Sequence, residues 1–153
     1  PSIFQDFLVS VFLAKPVVLL LSNLGYVVWT DGLNVYYIDK TINLSTHVVI
    51  TTGCSGLYSI LIFICAFFSY VLMSDFYNKT EVLLFLCLGI LMAYVSNILR
   101  MSMVILAGHY RGPEFLLFVH ANLGWIFFTI WMFIFWRLLD KYLFLDRYAN
   151  TLK

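Results

Sequence analysis

Residues 82–106 read VLLFLCLGILMAYVSNILRMSMVIL. As a helix this stretch is long enough to cross a ~30 Å hydrocarbon core, which takes ~20 residues. One cation, Arg100, interrupts it, with Asn97 and Ser96 about one turn earlier on the same helix face. Three more apolar stretches flank it: residues 7–29, broken by Lys15-Pro16, residues 55–73, and residues 115–136. Each approaches or exceeds the spanning length. The expected fold is therefore an all-α integral membrane protein, a bundle of four transmembrane helices in a single membrane domain over residues 1–153.

Composition agrees. The 153 residues are 63% apolar and 19% aromatic, and 11% are charged, against about 25% charged in a soluble domain. So few charges cannot cover a water-facing surface, which excludes a soluble enzyme. A net charge of +1 without a basic run leaves nothing to follow a phosphate backbone, so no nucleic-acid partner is expected. Three cysteines are no disulfide framework, and no CxxC or Cys/His zinc spacing is present. No metal or cofactor is expected. The chain begins at Pro1 rather than Met, so a trimmed chain or fragment is expected, without a cleavable signal peptide.

Lys79, Arg137, Lys141, Arg147 and Lys153 fall on one side of this arrangement, and Lys40 and Arg111 on the other. Lys15 is expected near the inner end of the first helix, snorkelling to the heavier side. The basic side should be cytoplasmic. Both termini and the tail 137–153 are then inside, while residues 30–53 and 107–114 are outside. Within 30–53, the β-branched and aromatic runs around Asp39-Lys40 predict a short outer hairpin.

The costly polar residues carry the functional reading. Thr51-Thr52-Gly53-Cys54-Ser55-Gly56 precedes the second apolar stretch. Thr51, Thr52 and Ser55 are candidate N-caps, and the glycines permit close backbone approach. Cys54 would then stand at a helix N-terminus, where N–H groups and the dipole favour thiolate. Counted from Val82, Arg100 lies about 27 Å across, near the outer leaflet. His120 opens the fourth stretch, and Gly124 shares its face and would admit a close neighbour. Topology thus brings Cys54, Arg100 and His120 to one depth. His109 competes with His120, but its offset turns it away from Arg100. Cys65, Cys87 and His47 read as packing or surface residues, and Trp125, Trp131 and Trp136 as belt or packing residues.

Cys54-Ser55-Gly56-Leu57, then Asn97-x-x-Arg100, then a His opening the following helix: this ordered set resembles the exosortase/archaeosortase family. The resemblance covers roughly residues 16–137, as a catalytic core or short member, since many of that family carry more helices. It implies a membrane transpeptidase or protease acting on exported proteins with a C-terminal sorting signal (a motif, a transmembrane helix and a basic end). It implies a plasma-membrane location with the site toward the extracytoplasmic side, and a lipid-linked acceptor is compatible with it. The nucleophile would correspond to Cys54, with Arg100 and His120 as the other catalytic positions and Ser55, Gly56, Asn97 and Gly124 in support. The rival reading is a non-enzymatic membrane assembly or partner protein in which Arg100 and Asn97 serve as interhelical contacts. A transporter fragment ranks third, because the polar residues cluster at one side.

Overall fold

The structure is a computed structural model that describes residues 3–73 and 79–151. Lys153, one of the basic residues that set the expected orientation, lies outside the described residues, as does the side chain of Arg147. The first helix, α1, runs as Ile3–Val9, a π turn Ser10–Ala14, and Lys15–Asn23. The π turn has a local cause. Pro16 offers no N–H and its ring crowds the carbonyl four residues back. The wider turn just before it relieves that conflict, with Lys15 N–H donating to Ser10 O.

The first apolar stretch was expected to stay helical to Trp29, but α1 ends at Asn23. Gly25 takes φ 88°, a conformation that suits glycine. Around it the Gly25 N–H donates to Ser22 O at 3.0 Å and the Tyr26 N–H to Leu21 O at 3.1 Å. These are the two bonds of a Schellman motif, which closes the helix. The chain then forms β1 (Val28–Asp31), β2 (Asn34–Asp39) and β3 (Leu44–Val49), an antiparallel sheet in that order. The expected hairpin is thus β2–β3, and β1 adds a third strand. Gly32 (φ 60°) opens the two-residue β1–β2 turn, where a hairpin wants glycine first. Along β2, Val35, Tyr37 and Asp39 face inward.

Helix α2 is Leu57–Met73. The helical run from Lys79 to Thr151 breaks at Gly112 (φ 82°, ψ 176°), followed by Pro113. This gives α3 (79–111) and α4 (113–151), with proline in the first turn of α4 where its missing N–H costs nothing. Residues 107–114 were expected as a loop, but the reversal is confined to Gly112. A Cβ on Gly108 would lie 2.6 Å from Leu116 Cδ1, and the Phe85 and Tyr142 rings lie 4.9 Å apart. Residues at matching distances from Gly112 therefore meet, so α3 and α4 form an antiparallel hairpin.

Two packed clusters divide the molecule. One joins Val9, Leu13, Val17 and Leu21 of α1 to Val35 and Tyr37 of β2, Met101, Val104 and Ile105 of α3, and Leu116 of α4, with Cys54 at its edge. The other joins Phe63 and Phe67 of α2 to Phe85, Ala93, Trp131, Phe135 and Leu139 of the hairpin, and among the described residues no α1 residue belongs to it. Among the described residues, α1 and the sheet therefore pack on the half of the hairpin nearest Gly112, and α2 packs on the other half. Lys15 is exposed and lies nearer the sheet end of α1 than its start.

In the second cluster, a Cβ on Gly89 would come within 2.0 Å of Phe63 Cζ, and Phe63 is fully buried. Gly89→Ala should cost about 1–3 kcal/mol by overpacking. Thermal unfolding in detergent would show it as a lowered midpoint.

Candidate active site

The site forms where the sheet gives way to α2. Ile50 is buried, and Thr52–Cys54 make a 3-10 turn with Cys54 N–H donating to Thr51 O at 2.9 Å. Gly56 then takes φ 76° before α2 starts at Leu57. Cys54 is therefore not in the first turn of a helix, as the spacing suggested. The left-handed Gly56 separates it from α2, and its own N–H is already used. Of the candidate caps, Ser55 Oγ accepts from Leu57 N–H at 3.4 Å, whereas Thr51 Oγ1 lies 3.5 Å from Cys54 Sγ.

Two helices converge on Cys54. From α4, His120 Nε2 lies 3.7 Å from Sγ, within range of a thiol–imidazole hydrogen bond. From α3, Arg100 Nη2–H donates to the Cys54 carbonyl oxygen at 2.8 Å and Asn97 Nδ2–H donates to the same oxygen at 3.1 Å. The guanidinium thus grips the main chain of Cys54 rather than its sulfur. Asn97 does not orient Arg100; it shares the same acceptor. Asn97 and Cys54 are both buried, at 8% exposure each, so a paired acceptor and donors there cost little, while an unpaired one would be expensive.

Two glycines make room for these contacts. A Cβ on Gly56 would sit 2.9 Å from Asn97 Cγ, and one on Gly124 would sit 3.3 Å from Arg100 Nη1. The close neighbour of Gly124 is thus the Arg100 side chain, not a helix backbone. Beside Arg100 lies a small void lined by Ser59, Ser96 and Asn97 together with Phe127, Phe128 and Trp131. Ser59 and Thr51 join the site without having been singled out for it. For Thr51 the available signal was its spacing to Cys54, which places the two side chains together across one turn.

His109 is elsewhere. Its Nδ1–H donates to Ile38 O, its own carbonyl accepts from Lys40 N–H at 2.9 Å, and its ring stands edge-on to Tyr26 at 5.3 Å. It fastens the sheet to the end of α3. Nearby, Asp39 Oδ1 accepts from Thr41 Oγ1 at 2.6 Å and Thr41 N at 2.8 Å, bonds that hold its carboxyl below the usual carboxylate range. Tyr26 and Tyr110 hydroxyls pair at 3.0 Å. His47 is exposed on β3 beside Tyr36. Cys65 and Cys87 are exposed on apolar helices, away from the site. Among the described residues no group of three or more His, Cys, Asp or Glu is arranged to hold a metal ion.

If His120 serves as the acid–base group, His120→Ala should lower turnover by ~10²–10⁴-fold. His109→Ala should loosen the sheet end and leave turnover within a few fold. Assaying both at equal protein levels decides between them, and a dead His109→Ala beside an active His120→Ala would reverse the choice.

A buried thiol against an imidazole, on a residue whose carbonyl accepts from two side chains of a long apolar helix, defines a membrane protein with a candidate cysteine-type site. A family model of transmembrane exosortases matches residues 3–137, and the chain belongs to that family. No curated protein and no solved structure matches it.

Proposed function

We propose that the protein is a membrane-embedded cysteine transpeptidase or peptidase that cleaves C-terminal sorting signals of exported proteins. The observation that carries this reading is the Cys54–His120 pair, 3.7 Å apart, beside a Cys54 carbonyl held by Arg100 and Asn97. In the proposed cycle, the Cys54 thiol passes its proton to His120 Nε2, and the thiolate attacks the scissile carbonyl. The tetrahedral adduct collapses to a thioester as His120 returns the proton to the leaving amine. An amine or lipid-linked nucleophile then resolves the thioester in a transpeptidase, and water does so in a peptidase. Arg100 fixes the Cys54 main chain and leaves cationic N–H groups close to the reacting centre.

An apolar cleft of about 270 Å3 between α1 and α2, lined by Leu8, Phe12, Leu57 and Ile60, also takes in Ser55 and Asn97. It supports a path by which the apolar part of a sorting signal reaches Cys54. In this reading the sheet lies on the extracytoplasmic side and residues 137–153 are cytoplasmic, as the Lys and Arg distribution favours. The basic end of the signal would then lie inside the cell.

Trapping tests the proposal. Membranes bearing the protein and an exported substrate, quenched in acid, should yield a hydroxylamine-sensitive peptide adduct on Cys54. Processing that proceeds with no such adduct, even when resolution is slowed, defeats it. The contacts of Arg100 and Asn97 with a main-chain carbonyl also suit the rival reading as polar glue. A thiol-reactive probe discriminates, because an enzyme's Cys54 should react faster than Cys65 or Cys87.

Arg100→Lys should lower activity by ~100-fold. A lysine can place one ammonium near the Cys54 carbonyl but cannot also reach toward Gly124, and a misplacement of about 1 Å costs that much. Retained activity would reduce Arg100 to a simple positive charge.

A further inference from the structure

A second cleft, of about 340 Å3, lies between α3 and α4 near their Gly112 end. Its walls are Met103, Leu106, Tyr110, Phe115, Val119 and Leu123, spaced as one face of each helix, so the slot runs along the hairpin axis for about 12 Å. Two cations crown it. Lys40, from the β2–β3 connection, places Nζ 4.6 Å from the Tyr110 ring centroid. Arg111, the last residue of α3, places its guanidinium carbon 4.9 Å from the Phe115 centroid. Lys40 and Arg111 are the two basic residues that the sequence gives to the sheet end, and both rest on rings that wall the same slot. Of the nearby acids, Asp39 turns Oδ1 to Thr41 and Glu114 does not line the cleft.

An apolar slot parallel to the helix axis, with a cation over each of two of its aromatic walls, is complementary to an amphiphile with an anionic head and a hydrocarbon tail. We propose that this cleft binds an anionic phospholipid of the sheet-side leaflet, its phosphate between Lys40 and Arg111 and one acyl chain along Met103, Leu106, Val119 and Leu123. Val119 and Leu123 bracket His120 on α4, so the chain braces the helix that carries His120. The site is separate from Cys54 and does not depend on its chemistry.

The test uses the full chain in phosphatidylcholine vesicles containing a trace of phosphatidylglycerol with a photoactivatable group on one acyl chain. Irradiation should label peptides covering residues 103–123 in preference to α2. Excess unlabelled phosphatidylglycerol should lower that labelling at least fivefold, and diacylglycerol with the same chains should not. The double variant Lys40→Gln, Arg111→Gln should lose as much labelling. Leu106→Trp, which fills the slot and keeps both cations, should lose it too. Equal competition by diacylglycerol, or labelling unchanged in both variants, means ordinary contact with surrounding lipid and overturns the proposal. Displacement by inorganic phosphate alone overturns it in favour of a free-anion site.

Discussion

On the proposed chemistry, Cys54→Ala is expected to stop processing of an exported substrate, by ~10³-fold or more, with the protein still inserted and folded. The size follows from the chemistry. Without the sulfur no thioester forms, and His120 has no thiol to relieve of its proton, so the two-step route is lost rather than slowed. The persistence of the fold follows from where the contacts are made. Arg100 and Asn97 hold the carbonyl oxygen of Cys54, and an alanine keeps that carbonyl. The 3-10 turn closed by Cys54 N–H on Thr51 O is likewise main chain. What goes is one small buried side chain, a loss of about 1 kcal/mol. Blotting for precursor and product, alongside protease protection of the inserted protein, separates the two effects. Normal processing by Cys54→Ala would remove the nucleophile assignment outright. Cys54→Ser should lie close to Ala, since a hydroxyl is far less ionised than a thiol at neutral pH.

Much of the architecture was legible because a membrane chain makes polar residues conspicuous. Arg100 in an apolar stretch, Cys54 before one and His120 opening another could be set at one depth by counting residues, and the structure brings all three together. Side-chain direction was not legible. Spacing puts Asn97 and Arg100 on one face but does not say that both reach across to the same carbonyl of another element. The first strand was missed although its signals were present. Gly25 and the Asp31-Gly32 pair mark a helix end and a hairpin turn, but Val27, Val28 and Trp29 extend the apolar run and mask them. The short reach of α1 along the hairpin could not be read either. It depends on the sheet occupying the flank of α3 and α4 on one half, and on α2 filling the other. Residues 107–111 look like a loop from their Gly, His and Arg, yet stay helical because Gly108 admits Tyr37 and His109 binds Ile38 O.

Gly56→Ala should be the most damaging change that removes no reactive group. Two costs fall on one methyl. At φ 76° an L-residue is strained, by about 1–2 kcal/mol. The new Cβ would also stand 2.9 Å from Asn97 Cγ and 3.3 Å from Asn97 Cβ. Since Asn97 is buried, it can move only by giving up its bond to Cys54 O, another ~1 kcal/mol. The total, about 2–3 kcal/mol, is a large share of the stability of a small domain. Activity should fall by ~100-fold, because the Cys54 carbonyl shifts with its donors and the thiol shifts with it. Gly25→Ala is the control. Its φ is 88° and nothing lies within 4 Å of the added methyl, so it carries the strain without the collision and lies outside the site. It should lower the unfolding midpoint less than Gly56→Ala and leave activity nearly intact. If the two variants behave alike, backbone strain alone explains both and Asn97 has no special hold on Cys54. A double-mutant cycle sharpens the point. Asn97→Ala removes the atoms nearest the new methyl, so Gly56→Ala should cost less stability in that background than alone.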